Sequence, residues 1–222
     1  MEYGAHLPLV DLGPPRSLAG LAAYARTAAR LGYRYLCAND HLVFGRPWLD
    51  GPTALASLIE ASQDMTLVTT AALPVLRGPV PLAKALTAID ILSGGRLVAG
   101  VGPGSSAGDY AAAGIGFEER WRRFDEAVRV LRALLHGDDG GFEGEFYSTR
   151  GVLLEPRPAQ RPGPPICTCS RFRGVTRHSP SPCCTCCAAM VCSTASSFPR
   201  TPWAGRRLSR CLMPAPRSGA RR

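Results

Sequence analysis

Two groups of residues in the first half of the chain have types and spacing suited to chemistry. Asp40 and His41 form an adjacent acid and imidazole; a histidine exchanges protons near neutral pH, and a neighbouring carboxylate can tune its pKa. Gly102, Gly104, Ser105 and Ser106 offer backbone amides and hydroxyls that can closely approach a ring or a phosphate. Read locally, the same residues are also compatible with a surface or helix-capping pair and with an ordinary turn after a strand.

The elements that position these residues repeat along the chain. Strand-like runs begin near Tyr3, Tyr33, Thr66 and Arg96, and a helical pattern follows each of them. The strands are continuous apolar runs, as expected for strands buried on both faces of a parallel sheet. Strands that alternate with helices indicate an α/β fold, and a period of about 30 residues favours a (β/α)8 barrel of the TIM type.

A doubly wound sheet is the alternative fold. Neither the GxxxxGK[ST] nor the GxGxxG pattern occurs, which weakens a dinucleotide-binding interpretation. The helices are marked by Ser17 as an N-cap, by a segment over residues 53–62, by Pro79 as a helix start, and by apolar residues spaced three and four apart over 121–135. The pattern stops at Ile166, where a fifth strand would begin, so we expect an incomplete barrel of about four to five βα units.

Parallel strands bring their carboxyl ends to one edge of the sheet, where the sites of α/β folds lie. The second strand delivers Asp40 and His41 to that edge, the third delivers residues 71–74, and the fourth delivers residues 102–106. We expect His6 to be a barrel-interior polar residue, His136 to end a helix and Cys37 to fill the core.

Charge and cysteine divide the chain into a body, residues 1–166, and a tail, residues 167–222. The body holds sixteen basic residues and all 17 acidic ones, whereas the tail holds ten arginines, no acid and eight of the 9 cysteines. Four interpretations of the tail remain open: a zinc site around Cys183 and Cys186, a disulfide framework, a basic arm that binds nucleic acid, and out-of-frame translation of a GC-rich gene. The last one fits the composition best and predicts a tail without evolved function.

Composition excludes some classes of protein. The chain is 45% hydrophobic and 19% charged, which is typical of globular proteins. No apolar run reaches the roughly 18 residues of a membrane span, and the first residues lack the basic and apolar regions of a secretory signal. We therefore expect a cytoplasmic protein.

Several short motifs in order resemble the luciferase-like monooxygenase family, in particular its flavin- or F-420-dependent oxidoreductases. They are GYRYL at residues 32–36 leading to Asp40 and His41, AK at 83–84, DILSGGR at 90–96, GVGPG at 100–104, ER at 119–120 with DE at 125–126, and PRP at 156–158 to PPI at 164–166. The resemblance covers residues 1–166, and residues 167–222 do not match.

The resemblance implies a TIM barrel that binds FMN or coenzyme F-420 and transfers hydride or oxygen to a small organic substrate. It implies that Asp40 and His41 lie beside the cofactor ring and serve proton transfer. It also implies that Ala71, Ala72 and Leu73 form a third-strand bulge behind the ring, and that Gly102, Gly104, Ser105 and Ser106 border the cofactor. No metal is implied.

Two functional alternatives belong to other classes: a non-catalytic flavin-binding remnant, and a protein that binds nucleic acid through its basic tail. An incomplete barrel would also leave unpaired edges on the first and fourth strands, which predicts poor solubility or a homodimer through that edge.

Overall fold

The computed structural model describes residues 2–10, 17–137 and 141–168. Within them, one sheet contains five strands: β1 (Gly4–His6), β2 (Tyr35–Ala38), β3 (Thr66–Thr69), β4 (Leu97–Val101) and β5 (Ile166–Thr168). Each strand pairs in parallel with the next, in the order β1-β2-β3-β4-β5. The expectation of an unpaired edge on the fourth strand is wrong, because β5 pairs with that edge. This order lacks the reversal of a doubly wound sheet and agrees with the prediction of a barrel-type α/β fold.

Helices connect the strands, as parallel pairing requires. They are α1 (Leu18–Arg30), α2 (Gly51–Ser57), α3 (Pro74–Arg77), α4 (Pro79–Leu92), α5 (Ala107–Ala112) and α6 (Arg120–His136), with a 3₁₀ turn at Phe117–Glu119 before α6.

Capping residues and prolines in the sequence predicted the positions of most of these helices correctly. Ser17 caps α1 through a hydrogen bond from the Gly20 N–H to its hydroxyl, and α4 begins at Pro79. The prediction for α2 was wrong in its bounds: the helix begins two residues before Thr53 because Asp50 caps it, and it ends at Ser57 rather than Ser62. Helices α3 and α5 have only four and six residues, too few to show a period.

The two faces of the sheet differ in their surroundings. Leu36, Leu67 and Leu97 are register neighbours on one face and lie in the main hydrophobic core with the helices. Alternation places His6, Cys37 and Val68, also register neighbours, on the opposite face, which is the interior face in a barrel. The prediction that Cys37 is a buried core residue is confirmed, since it is 7% exposed.

The amino ends of the strands are held by polar contacts of two side chains. Arg96, just before β4, donates to the carbonyls of Met65 (2.6 Å) and Ile59 (3.0 Å). Asp90 is fully buried and accepts hydrogen bonds from the backbone (3.0 Å) and the side chain (2.6 Å) of Gln160. These contacts join three successive βα units at the edge opposite the predicted site.

The tail lies almost entirely outside the described residues, and with it the zinc, disulfide and nucleic-acid interpretations. Strand β5 includes Cys167 and Thr168, two residues past the predicted boundary at 166. In the described part of the chain, no helix has the length and apolar character needed to cross a bilayer.

Candidate active site

The carboxyl ends of the strands form one edge, here called the rim, and polar residues from four strands meet there. Strand β1 ends at His6, β2 leads into Asp40 and His41, β3 leads into residues 70–73, and β4 leads into residues 102–106. The structure therefore brings every sequence-predicted site residue to the same edge of the sheet, as the parallel topology requires.

Asp40 is buried and paired with an arginine that sequence analysis did not identify. Arg77, the last residue of α3, donates from Nε to Oδ2 and from a terminal nitrogen to Oδ1, both at 2.5 Å, in a bidentate contact. The backbone N–H of Leu73 donates to Oδ2 at 3.3 Å. Both carboxylate oxygens of Asp40 are thus occupied, and the carboxylate ties the end of β2 to the residues that follow β3.

Arg77 also contacts Asp50, the N-cap of α2. The hydrogen bonds to Asp40 raise the pKa of the Arg77 guanidinium, against the opposing effect of burial. Burial raises the pKa of Asp50, but hydrogen bonds from Thr53 and Arg77 outweigh it, and the net pKa is lowered. One cation therefore links α2, α3 and the end of β2.

His41 pairs with a different carboxylate from the one that its sequence neighbour suggests. Its Nδ1 lies 2.9 Å from Oδ2 of Asp109, which is 1% exposed on α5. The other oxygen, Oδ1, accepts the backbone N–H of Val43 at 2.7 Å. No hydrogen bond joins Asp40 to His41, so the adjacent pair of the sequence is divided between two partners.

Aromatic side chains enclose the His41 ring. Its centroid lies 4.6 Å from that of Phe44 and 4.8 Å from that of Trp48, and these two rings meet edge to face at 5.1 Å. The His41 side chain remains 19% exposed, and its Nε2 has no hydrogen-bond partner among the described residues. The ring is thus held at one nitrogen and open at the other.

The predicted bulge after β3 is present. The register with β4 runs to Val68 opposite Val98 and resumes at Ala72 opposite Val101, so β3 has one extra residue. The Ala72 N–H donates to Gly100 O (2.9 Å), and its carbonyl accepts from Gly102 N (3.0 Å). The peptide between Thr70 and Ala71 is cis. Ala72 and Leu73 are buried, whereas Ala71 is partly exposed at the rim.

A second histidine supports the bulge from β1. His6 Nε2 lies 2.7 Å from the Thr70 hydroxyl, and burial lowers the pKa of His6. The expectation that His6 is an interior polar residue with its hydrogen bonding satisfied agrees with this contact.

The loop after β4 is shaped by its own packing. Gly104 has φ +81°, and a Cβ there would lie 3.4 Å from a Leu73 methyl and 3.6 Å from the Tyr110 ring. The Ser106 hydroxyl accepts from the Asp109 N–H at 3.2 Å and caps α5. Of the two predicted serines, Ser105 is the exposed one, so its hydroxyl is the one available to a ligand.

Sequence analysis missed Asp109 and Arg77. A signal existed for Asp109: it is an acid in the first turn of the helix that follows the glycine-rich loop, at the carboxyl end of β4. Arg77 carries no comparable signal, since it ends a helix of four residues.

The chain is similar to known proteins in both sequence and fold. The model of the family described as luciferase-like monooxygenase matches residues 5–175. The FMNH(2)-dependent dimethylsulfone monooxygenase of Pseudomonas putida is 31% identical over 164 residues, covering 70% of this chain and 43% of the relative. The F-420-dependent glucose-6-phosphate dehydrogenase of Gordonia bronchialis is 31% identical over 158 residues, covering 66% and 45%.

Solved structures give the same picture of the fold. A monooxygenase from Streptomyces bottropensis matches with a TM-score of 0.67 and 31% identity, over 76% of this chain and 53% of that one. An F-420-dependent secondary alcohol dehydrogenase matches with a TM-score of 0.63 over 76% and 52%; at 19% identity it supports the fold alone. The chain spans about half the length of the proteins that it matches.

Proposed function

Because the chain belongs to the luciferase-like monooxygenase family, we propose that it is an oxidoreductase that binds FMN or coenzyme F-420 at the rim and acts on a small organic substrate. Relatives named for each cofactor support both possibilities. The cofactor, when bound, supplies the hydride or oxygen chemistry, whereas the protein supplies binding, orientation and protection from water.

The residues at the rim fit the ring of such a cofactor. Ala71 offers a small apolar surface, and neither its N–H nor its carbonyl has a hydrogen-bond partner among the described residues. The Trp48 indole N–H is buried and likewise lacks a partner there. The small side chain of Ala71 and its unpaired peptide groups match the flat face and the polar edge of a flavin or deazaflavin ring.

The phosphate end of the cofactor has fewer contacts in this part of the protein. The exposed hydroxyl of Ser105 and the backbone around Gly104 are available, while Arg77 is committed to Asp40 and Asp50. We therefore assign ring binding to residues 71–73 with His41, and assign Gly102, Gly104, Ser105 and Ser106 to the border of the site.

The roles of Asp40 and His41 differ in this proposal. His41 exchanges a proton with the substrate or the cofactor through Nε2, because that nitrogen is open at the rim. Asp40 positions the bulge, because its carboxylate is bound to Arg77 and to the Leu73 N–H. Phe44 and Trp48 exclude water from one side of the imidazole.

The observation that carries the proposal is the convergence at the rim of an imidazole with an open Nε2 and a bulge in which the N–H and the carbonyl of Ala71 have no hydrogen-bond partner among the described residues. The test is a titration of the full chain with FMN and with F-420, in oxidised and reduced forms, followed by cofactor and tryptophan fluorescence. A variant Ala71→Phe fills the ring surface and weakens binding by roughly tenfold or more, equivalent to about 1.4 kcal/mol.

The matched control is Ala112→Phe, which adds the same bulk at an exposed position of α5. We expect it to bind like the wild type. Equal affinities in the two variants, or no saturable binding of either cofactor by the wild type, would refute the assignment. Analytical ultracentrifugation of the same samples tests the expected homodimer.

A further inference from the structure

We propose that Asp109 is a positioning residue that fixes the tautomer of His41 and keeps Nε2 in the form that accepts a proton. The catalytic consequence rests on the proposed function, whereas the tautomer itself does not. The tautomer follows from the hydrogen-bonding capacity of the buried Asp109 carboxylate and of its two partners, His41 and Val43.

Both oxygens of Asp109 act as acceptors. Oδ1 accepts the Val43 N–H at 2.7 Å, and Oδ2 lies 2.9 Å from His41 Nδ1. A carboxylate has no hydrogen to donate, so the short contact requires a hydrogen on Nδ1. The neutral imidazole then carries its single proton on Nδ1 and exposes a lone pair at Nε2.

The residues around His41 and Asp109 restrict the orientation of the imidazole ring. Asp109 is 1% exposed, and its own N–H is bound by Ser106 at the start of α5. Phe44 and Trp48 pack against the imidazole. The two rings and the carboxylate together hold the imidazole with Nδ1 at Asp109.

The proton balance of the assigned step is simple. Nε2 takes a proton from the reacting group, Nδ1 keeps its own, and the ring becomes an imidazolium. The adjacent buried carboxylate stabilises this cation without itself taking a proton, as the aspartate does in serine-protease triads. On the return step the imidazolium releases the same proton from Nε2.

The substitution Asp109→Asn inverts the tautomer for a geometric reason. The Val43 N–H demands an acceptor, so the amide oxygen takes the place of Oδ1 and the amide nitrogen faces His41. That nitrogen donates, so Nδ1 must present its lone pair. The neutral ring then carries its proton on Nε2 and has lost its function as a base at the rim.

The experiment is long-range proton–nitrogen NMR of the imidazoles in full-length protein labelled with 15N-histidine, at pH 8, well above the usual histidine pKa of about 6.5. His41→Gln identifies the resonances. We expect a protonated Nδ1 and an unprotonated Nε2 for His41 in the wild type, and the reverse in Asp109→Asn. The matched control is Asp90→Asn, which alters a fully buried aspartate at the opposite edge and leaves the His41 pattern unchanged.

Two results would overturn the proposal: a wild-type His41 protonated on Nε2, or an unchanged pattern in Asp109→Asn while the His6 and His136 resonances confirm an intact fold. The wild-type spectrum decides the matter even if the variant does not fold. Failure of the cofactor titration would remove the proposed function but not the tautomer. If both stand, Asp109→Asn lowers kcat while the Kd of the cofactor stays within about twofold, because the asparagine oxygen still accepts the Val43 N–H and only the contact with His41 changes. For scale, the corresponding substitution in serine-protease triads lowers kcat by about 10⁴.

Discussion

Replacing Arg77 by methionine tests how far the rim depends on a single cation. Arg77 is 19% exposed and its partner Asp40 only 1% exposed at the side chain, so Arg77→Met leaves a buried carboxylate without its counter-charge. Removing one member of a buried ion pair costs about 3–5 kcal/mol. The contact with Asp50 adds little, because that side chain is 41% exposed.

The assay is unfolding by urea and, separately, by heat, each followed by circular dichroism at pH 7. For a domain of this size, 1 kcal/mol corresponds to roughly 2–4 °C in Tm, so Arg77→Met should lower Tm by about 6–20 °C. The matched control is Arg34→Met, whose contact with Glu2 spans 3.8 Å between an exposed and a partly exposed side chain and is worth at most about 1 kcal/mol.

A second substitution separates the buried charge from other effects of the variant. Asp40→Asn in the Arg77→Met background removes the unpaired charge, so we expect it to restore at least half of the lost stability. The reasoning would be refuted if Arg77→Met cost no more than Arg34→Met, or if Asp40→Asn made the double variant still less stable.

Three further predictions concern other parts of the structure. Gly104→Ala should cost about 1–2 kcal/mol in urea unfolding, because φ is +81° there, whereas Gly108→Ala inside α5 should be neutral or stabilising. Burial lowers the pKa of His6, so stability should decline as pH falls from about 6.5 towards the lower folded pKa; His6→Gln should flatten this part of the profile, and an unchanged slope would contradict the prediction. Burial raises the pKa of Glu126, but hydrogen bonds from the N–H groups of residues 145–147 outweigh it, and the net pKa is lowered. Because those bonds protect the N–H groups, Glu126→Ala should accelerate hydrogen exchange at Phe146, and equal exchange in the variant and the wild type would contradict this prediction.

The sequence predicted the architecture because its signals are local. Caps such as Ser17, proline starts such as Pro79 and the apolar spacing over 121–135 each lie within one element, and parallel pairing then follows from the alternation of strands and helices. The same topology placed the candidate residues at one edge without any knowledge of distances.

Local sequence signals could not predict which charged side chains pair with each other at that edge. His41 and Asp109 lie 68 positions apart, and Arg77 lies 37 positions from Asp40, so each contact depends on how a loop folds back after its strand. The adjacency of Asp40 and His41 suggested a carboxylate–imidazole pair, but consecutive residues after a strand point in different directions. The role of each residue in catalysis remains a prediction.

The contacts of Arg96 and Asp90 suggest how such a scaffold can change its chemistry over evolution. Both side chains form hydrogen bonds between successive units at the amino ends of the strands, and in the described residues neither forms one with the segments that carry His41 and Asp109. Mutations at the carboxyl ends of the strands therefore leave the hydrogen bonds of Arg96 and Asp90 at the amino ends intact. Proteins descended from one ancestor can therefore acquire different substrates through mutations in their loops, while the scaffold of strands and helices keeps its stability.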